Sequence, residues 1–250
     1  MQELAWLIGL GSALAPMVAG CSTTSAAPST QPSQLRPVTL MLVGDSTVAD
    51  YPPGRPNMGW GQALPQFLSP RVQVVNLAKG GRSSKSFIQE GLWDQAQTHR
   101  ADFVLIQFGH NDCPGKGERS TGPDAEYPQY LGHYVEDSRR RGANPILVTP
   151  VARRKFDRQG KVRNDLLPYA QAMKRLALDR HVPVVDLNAA SVALYERLGD
   201  EGSAYLSCSA DDRTHFSPAG AKAMAELVAR GLRENCPALA PYVRLPEEPR

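Results

Sequence analysis

The sequence predicts an α/β protein, a three-layer α/β/α sandwich with a five-stranded parallel sheet. Three observations carry this. Short continuous apolar runs rich in β-branched residues recur along the chain, amphipathic segments of helical period separate them, and several runs end in a polar, glycine-containing signature. Continuous runs of this length suit strands buried on both faces, as a parallel sheet covered by helices requires.

Taken in order, Val38–Val43 (VTLMLV) is the first strand and runs into Gly44-Asp45-Ser46. Gly59–Leu68 is the first helix candidate. Val72–Leu77 (VQVVNL) is the second strand and ends in Ala78-Lys79-Gly80-Gly81. Ser84–Trp93 reads as a helix. Phe103–Phe108 (FVLIQF) is the third strand, ending in Gly109-His110-Asn111-Asp112. The helix Tyr127–Arg141, the strand Ile146–Val148, the helix Asp165–Arg180, the strand Val184–Leu187 and the helix Ala189–Leu198 follow. The last helix opens at Ser217-Pro218, a capping serine with proline at the first helical position, and runs to about Arg233. Strands alternating with helices imply right-handed crossovers. No internal repeat and no second-domain boundary is visible after residue 37.

The 250 residues carry 28 Lys+Arg against 25 Asp+Glu, and 42% are hydrophobic, enough apolar material to exclude disorder throughout. A net charge of +3, with no basic run interleaved with aromatics, excludes nucleic acid as the expected partner. Arg139-Arg140-Arg141 and Arg153-Arg154-Lys155 are expected to be solvated surface.

The first 36 residues hold two charges, Glu3 and Arg36, which cancel, so the whole net charge sits in the remainder. Residues 4–20 are apolar and charge-free, short of the roughly 20 apolar residues of a membrane span and suited to the core of an export signal. Val18-Ala19-Gly20-Cys21 follows and resembles the lipobox of bacterial lipoproteins, which implies cleavage before Cys21 and lipidation of its thiol. The opening Met-Gln-Glu lacks the basic residues of such a leader. An uncleaved anchor and an ordinary secretory signal are the alternatives. Residues 22–37 (STTSAAPSTQPSQLRP) are a disordered Ser/Thr/Pro linker in expectation. The expected organisation is leader and lipidated Cys21 over 1–21, linker over 22–37 and one catalytic-type domain over 38–250, exported and membrane-anchored through Cys21, periplasmic or outer-membrane-associated. Cys113, Cys208 and Cys236 remain; an exported domain permits one disulfide, and its pairing stays open.

Ligands of open α/β sheets bind outside the carboxyl ends of the strands. Gly44-Asp45-Ser46-Thr47, Gly80-Gly81-Arg82-Ser83 and Gly109-His110-Asn111-Asp112 stand at three such ends, and Asp212-Arg213-Thr214-His215 precedes the last helix. A serine nucleophile needs a base, and the base needs an orienting acceptor. Ser46 follows a strand in a tight turn, His215 is the candidate base, and Asp212 lies three residues before it, within one turn of its Nδ1. The order Ser…Asp…His without a G-x-S-x-G elbow excludes the lipase-type α/β-hydrolase pattern.

The four blocks in order resemble the SGNH (GDSL-type) hydrolases, and in detail their rhamnogalacturonan acetylesterase branch: GDST, then Gly81-Arg82-Ser83…Ser86-Phe87, FGHND, and Asp212 to Ala221 (DRTHFSPAGA). The resemblance covers nearly all of residues 40–230. It implies a flavodoxin-like fold, the catalytic residues Ser46, Asp212 and His215, and an oxyanion hole from the Ser46 N–H, the Gly81 N–H and the Asn111 amide. It implies no metal or organic cofactor. The implied activity is removal of O-acetyl groups from a plant cell-wall polysaccharide, rhamnogalacturonan of pectin foremost, through an acetyl-Ser46 intermediate, by a monomer. A lipid-directed esterase (lysophospholipase or thioesterase) and a non-catalytic carbohydrate-binding lipoprotein are the alternatives.

Residues nearby have plainer readings. His110 is expected to support the site by hydrogen bonding, and Asp112 to hold its loop. Trp60 and Trp93 are expected in the core rather than on a sugar, and His99, His133 and His181 at the surface. Gly115-Lys116-Gly117 lacks the strand–loop–helix context of a phosphate loop and reads as a flexible loop.

Overall fold

Alternate residues of the central strands face opposite sides of the sheet, and each side has its own core. The computed structural model describes residues 35–246. Strand β1 (Val38–Gly44) sends Leu40 and Leu42 to one face and Met41 and Val43 to the other. Strand β3 (Phe103–Gln107) and strand β4 (Asn144–Val148) repeat this division. An uninterrupted apolar run is what period-2 geometry produces when both faces are covered.

Strands β2 (Val72–Asn76) and β5 (Val184–Val185) complete the sheet in the order β2-β1-β3-β4-β5, every pair parallel. This is the flavodoxin-like order. β2 is an edge strand and only half-buried, so burial on both faces fails there. The helices α1 (Trp60–Ala63), α6 (Leu187–Ser203) and α7 (Pro218–Asn235) cover the Leu40/Leu42 face. The opposite face is covered by α2 (Ser84–Gln89), α3 (Leu92–Ala96), α4 (Glu126–Arg140) and α5 (Leu167–Asp179).

Several helices differ from their expected extents. The segment Gly59–Leu68 is four residues of α-helix followed by a 3₁₀ turn, Leu64–Phe67, with Pro65 inside it. Ser84–Trp93 divides into α2 and α3 at Gly91, whose φ of 73° stops the first helix. α6 continues past Leu198 only through a break at Gly199 (φ 71°, ψ 176°). Ser217 caps α7 as expected, its Oγ accepting from the Gly220 N–H.

Residues 1–34, with Cys21 and the expected leader, lie outside the described residues. The last three residues of the expected linker are attached to the domain: Leu35 packs on the core, and Arg36 pairs with Asp102 at 2.8 Å. Cys113, Cys208 and Cys236 are all free thiols.

In Arg153-Arg154-Lys155 the two arginines overturn the surface reading, while Lys155 is exposed as expected. Arg153 is 9% and Arg154 3% exposed. The Arg154 guanidinium pairs with the Asp200 carboxylate and donates to Ser207 Oγ at 2.9 Å, and its backbone N–H bonds Arg213 O at 2.8 Å. Distant partners draw two charges of the run into the interior. Arg139-Arg140-Arg141 is exposed as expected, as are His99, His133 and His181. Trp60 and Trp93 are buried.

Candidate active site

The chain leaves β1 through Gly44, and a Cβ there would lie 2.6 Å from Gln107 O, so only glycine lets the first loop cross over β3. Asp45 is fully buried and acts as the local anchor. Its Oδ1 accepts from Thr47 N at 2.9 Å and from Thr47 Oγ1 at 2.8 Å. The wire continues inward, Gln107 Nε2 donating to Thr47 Oγ1 and Trp60 Nε1 to Gln107 Oε1, both at 2.7 Å. The Asp45 carbonyl accepts from Val48 N (3.2 Å) and Ala49 N (3.1 Å). In a trans peptide the N–H points opposite the C=O. Holding that carbonyl inward therefore turns the Ser46 N–H outward, where it has no acceptor among the described residues.

Ser46 Oγ lies 3.0 Å from His215 Nε2, and His215 Nδ1 lies 2.9 Å from Asp212 Oδ2. An ionised carboxylate only accepts, so the imidazole proton sits on Nδ1 and Nε2 is free to accept from the serine hydroxyl. Asp212 Oδ1 accepts from the backbone of Thr214 (2.7 Å) and His215 (2.8 Å). Partial burial opposes its charge, but those two N–H groups and the imidazole outweigh it and hold the carboxyl down at about 2. The Cys208 thiol donates to Asp212 Oδ2 at 3.5 Å, and its backbone N–H bonds His215 O at 3.1 Å, which nothing in the sequence indicated.

The second block sits against the serine: a Cβ on Gly80 would be 3.6 Å from Ser46 Cβ. Gly81 has φ +80°, a conformation that side chains resist. The Gly80 carbonyl accepts from Arg82 Nη1 at 2.9 Å, which points the Gly81 N–H the other way. Arg119 Nη1 holds the Gly81 carbonyl at 2.6 Å. The Gly81 N–H has no acceptor among the described residues. Asn111 Nδ2 donates one hydrogen to Arg82 O at 3.1 Å and keeps its second. Backbone conformation rather than space demands glycine at position 81, since a Cβ on Gly81 would meet only Arg119 Nη1, at 3.5 Å.

His110 and Asp112 lie behind this surface. His110 is 3% exposed, with Nδ1 3.3 Å from Asp45 Oδ2. The distance is that of an ion pair, but the angle is not that of a hydrogen bond, and neither atom has another partner. Burial opposes the Asp45 charge; the facing imidazole and the Thr47 donors win and lower its pKa. Asp112 is fully buried and accepts from Ser84 N (3.0 Å), Ser84 Oγ (2.5 Å) and Thr121 Oγ1 (3.0 Å). Here burial exceeds the donors and raises its pKa to about 7. Its place is the structural loop role.

Ser46, His110, Asn111, Thr214 and His215 open on one cleft of about 470 Å³, whose far wall carries Lys116, Arg153, Lys155 and Asp165. A cavity of about 460 Å³ at the other end of the sheet, around Trp93, His99 and Arg141, contains none of these groups.

Comparisons with known proteins agree with this architecture. The model of the GDSL-like Lipase/Acylhydrolase family matches residues 42–223. The rhamnogalacturonan acetylesterase RhgT of Bacillus subtilis (strain 168) is 42% identical over 214 residues, 80% of this chain and 91% of that one. Among solved structures, protein YXIM of Bacillus subtilis superposes with a TM-score of 0.72 at 29% identity, covering 80% of this chain and 57% of that chain, so this chain spans little more than half of it. Axe2, an acetylxylan esterase from Geobacillus stearothermophilus, superposes with a TM-score of 0.61 at 22% identity over 80% of this chain and 94% of that one, a likeness of fold. A match running from the first strand into the last helix takes in all four polar blocks, and with it the chain belongs to the GDSL-like lipase/acylhydrolase family and is a carboxylic ester hydrolase.

Proposed function

We propose that this protein is an exported serine esterase that removes O-acetyl groups from a plant cell-wall polysaccharide, rhamnogalacturonan foremost. The observation that carries the mechanism is the hydrogen-bonded series Ser46 Oγ, His215, Asp212 at 3.0 and 2.9 Å. Similarity to RhgT, a rhamnogalacturonan acetylesterase, supports the substrate.

In this reading Ser46 Oγ attacks the acetyl carbonyl while His215 Nε2 takes its proton. The carbonyl oxygen becomes an oxyanion facing the Ser46 N–H, the Gly81 N–H and the free hydrogen of Asn111 Nδ2. Collapse breaks the ester C–O bond, and the sugar oxygen leaves with the proton from His215. Water, deprotonated by the same imidazole, attacks the acetyl-Ser46 carbonyl; the bond from the acyl carbon to Ser46 Oγ breaks, the imidazolium returns the proton to Oγ, and acetate leaves. Asp212 stays ionised and holds the imidazolium in place.

The cleft's polar and charged lining disfavours the lipid-directed alternative, which needs an apolar channel for an acyl chain. A binding lipoprotein has no use for an aligned nucleophile and base. Export and lipid anchoring rest on residues 4–21 of the sequence.

The test is acetate release from acetylated pectin, acetylated xylan and long-chain nitrophenyl esters. Release from pectin is expected, and Ser46→Ala is expected to lower turnover by on the order of 10⁴-fold or more with the fold intact. Preference for long acyl chains overturns the substrate, and substantial turnover by Ser46→Ala overturns the nucleophile.

A further inference from the structure

The sheet order arranges the cleft along one line. From β2 to β4, the carboxyl ends present Gly81, then Ser46, then His110 and Asn111, then Arg153 and Lys155. The β2, β1 and β3 ends carry the unengaged N–H groups and the nucleophile. The β4 end carries charge. Lys116, on the loop after β3, lines the same part of the cleft. Three cations there face a single carboxylate, Asp165.

The three cations are not equivalent. Arg153 is held at both ends of its guanidinium: Nη1 donates to Asp165 Oδ2 at 2.8 Å and Nη2 to His110 O at 3.2 Å. It is buried and supplies a fixed positive field. Lys155 Nζ donates to the same Asp165 oxygen at 3.0 Å, which uses one of its three protons. Lys116 Nζ has no acceptor among the described residues. One carboxylate already shared by two cations leaves this wall, across the cleft from the nucleophile, with surplus positive charge and unused donors. The cleft volume of about 470 Å³ far exceeds what an acetyl group fills, so neighbouring sugar reaches this wall.

We propose that Lys116 and Lys155 form a subsite that pairs with a sugar carboxylate of the acetylated chain and makes turnover depend on whether that carboxyl is free. The inference rests on the carbohydrate acetylesterase reading and adds to it the feature of the polymer that is recognised. The whole-chain charge of +3 is too small to attract an acidic polymer strongly; the local field, backed by buried Arg153, selects one.

The experiment compares two forms of one acetylated rhamnogalacturonan, with its carboxyls free and with its carboxyls methyl-esterified. Acetyl content is equal and only charge differs. The wild type is expected to show about tenfold higher kcat/KM on the free acid, mostly in KM, and to lose this preference at high salt. The Lys116→Gln/Lys155→Gln double variant is expected to bring the ratio to within about twofold of unity. Both substrates are assayed on one preparation, so the ratio does not depend on the fraction folded. Acetate release from both forms without preference, or a preference that survives in the double variant, overturns the subsite and leaves the esterase standing. Release from neither form, while 4-nitrophenyl acetate is still hydrolysed, overturns the carbohydrate reading together with the subsite.

Discussion

At the scale of single residues, what Ser46 is able to do depends on which way two peptides point. Val48 and Ala49 hold the Asp45 carbonyl, Arg82 holds the Gly80 carbonyl, and the N–H groups of Ser46 and Gly81 are left open as a result. Asn111 is aimed the same way, by giving one hydrogen to Arg82 O. Asn111→Ala is expected to lower kcat by about 10²–10³ with little change in KM, since that donor meets charge that develops in the transition state. Steady-state kinetics on 4-nitrophenyl acetate checks it. Asp212 has a second duty, because a carboxyl held at about 2, below its ordinary 3.8, stays charged through any working pH. Its share of stability is present above about pH 4 and is lost as pH falls through 2. Asp212→Asn is expected to cost about 10⁴ in kcat, as the amide no longer holds the required tautomer. An activity profile whose Asp212→Asn variant keeps near-parent kcat contradicts the assignment.

At the scale of elements, the loop between β3 and α4 is held by a buried acid. Asp112 joins the start of α2, through Ser84, to Thr121 near the loop's end, and Tyr169 OH of α5 bonds the Asp112 carbonyl at 3.1 Å. Its folded pKa of about 7 stands above the ordinary 3.8, so the unfolded chain releases a proton that the folded chain retains between those values. Stability from this residue is therefore full below about pH 4 and is lost as pH rises to 7. Asp112→Asn keeps an acceptor for Ser84 and Thr121 and has no proton to lose. The variant is expected to gain on parent by on the order of a few kcal/mol between pH 4 and 8, read as urea midpoints. Any constant cost of the new amide cancels in that slope; equal slopes refute the raised pKa. Arg154 works on the same scale. It ties the break in α6 at Gly199–Asp200 to Ser207 and Arg213, and so to the loop that carries Asp212 and His215.

At the scale of the whole molecule, the strand order explains why one edge holds the chemistry. The chain passes from β2, on one side of β1, to β3 on the other, and a crevice opens between the loops at that reversal. Ser46 stands on one lip and His110-Asn111 on the other. The proposed export leader is a whole-molecule matter too. Cys21→Ala is expected to move the protein from the membrane fraction to the soluble one, and a soluble wild type in that fractionation disproves the lipobox reading. Of the fold, the strands and their order in sequence were legible because apolar runs buried on two faces have a local signature. Short helices were less so: the breaks at Gly91 and Gly199 depend on single positive-φ residues inside otherwise helical patterns.

The sequence by itself determined the α/β class, the four polar blocks at strand ends, and the residues Ser46, Gly81, Asn111, Asp212 and His215 as one candidate set. Those follow from local pattern and from resemblance. Only the tertiary structure decided which peptides face the cleft, that Cys208 touches Asp212, and that Arg153 and Arg154 are interior rather than surface. The physical reasons differ in range. The open peptides and the Cys208 contact depend on how a loop turns back on itself within two to four residues, which residue types alone do not show. The burial of Arg153 and Arg154 depends on partners farther along the chain, Asp165, Asp200 and Ser207, and a linear sequence does not show which of its charges meet.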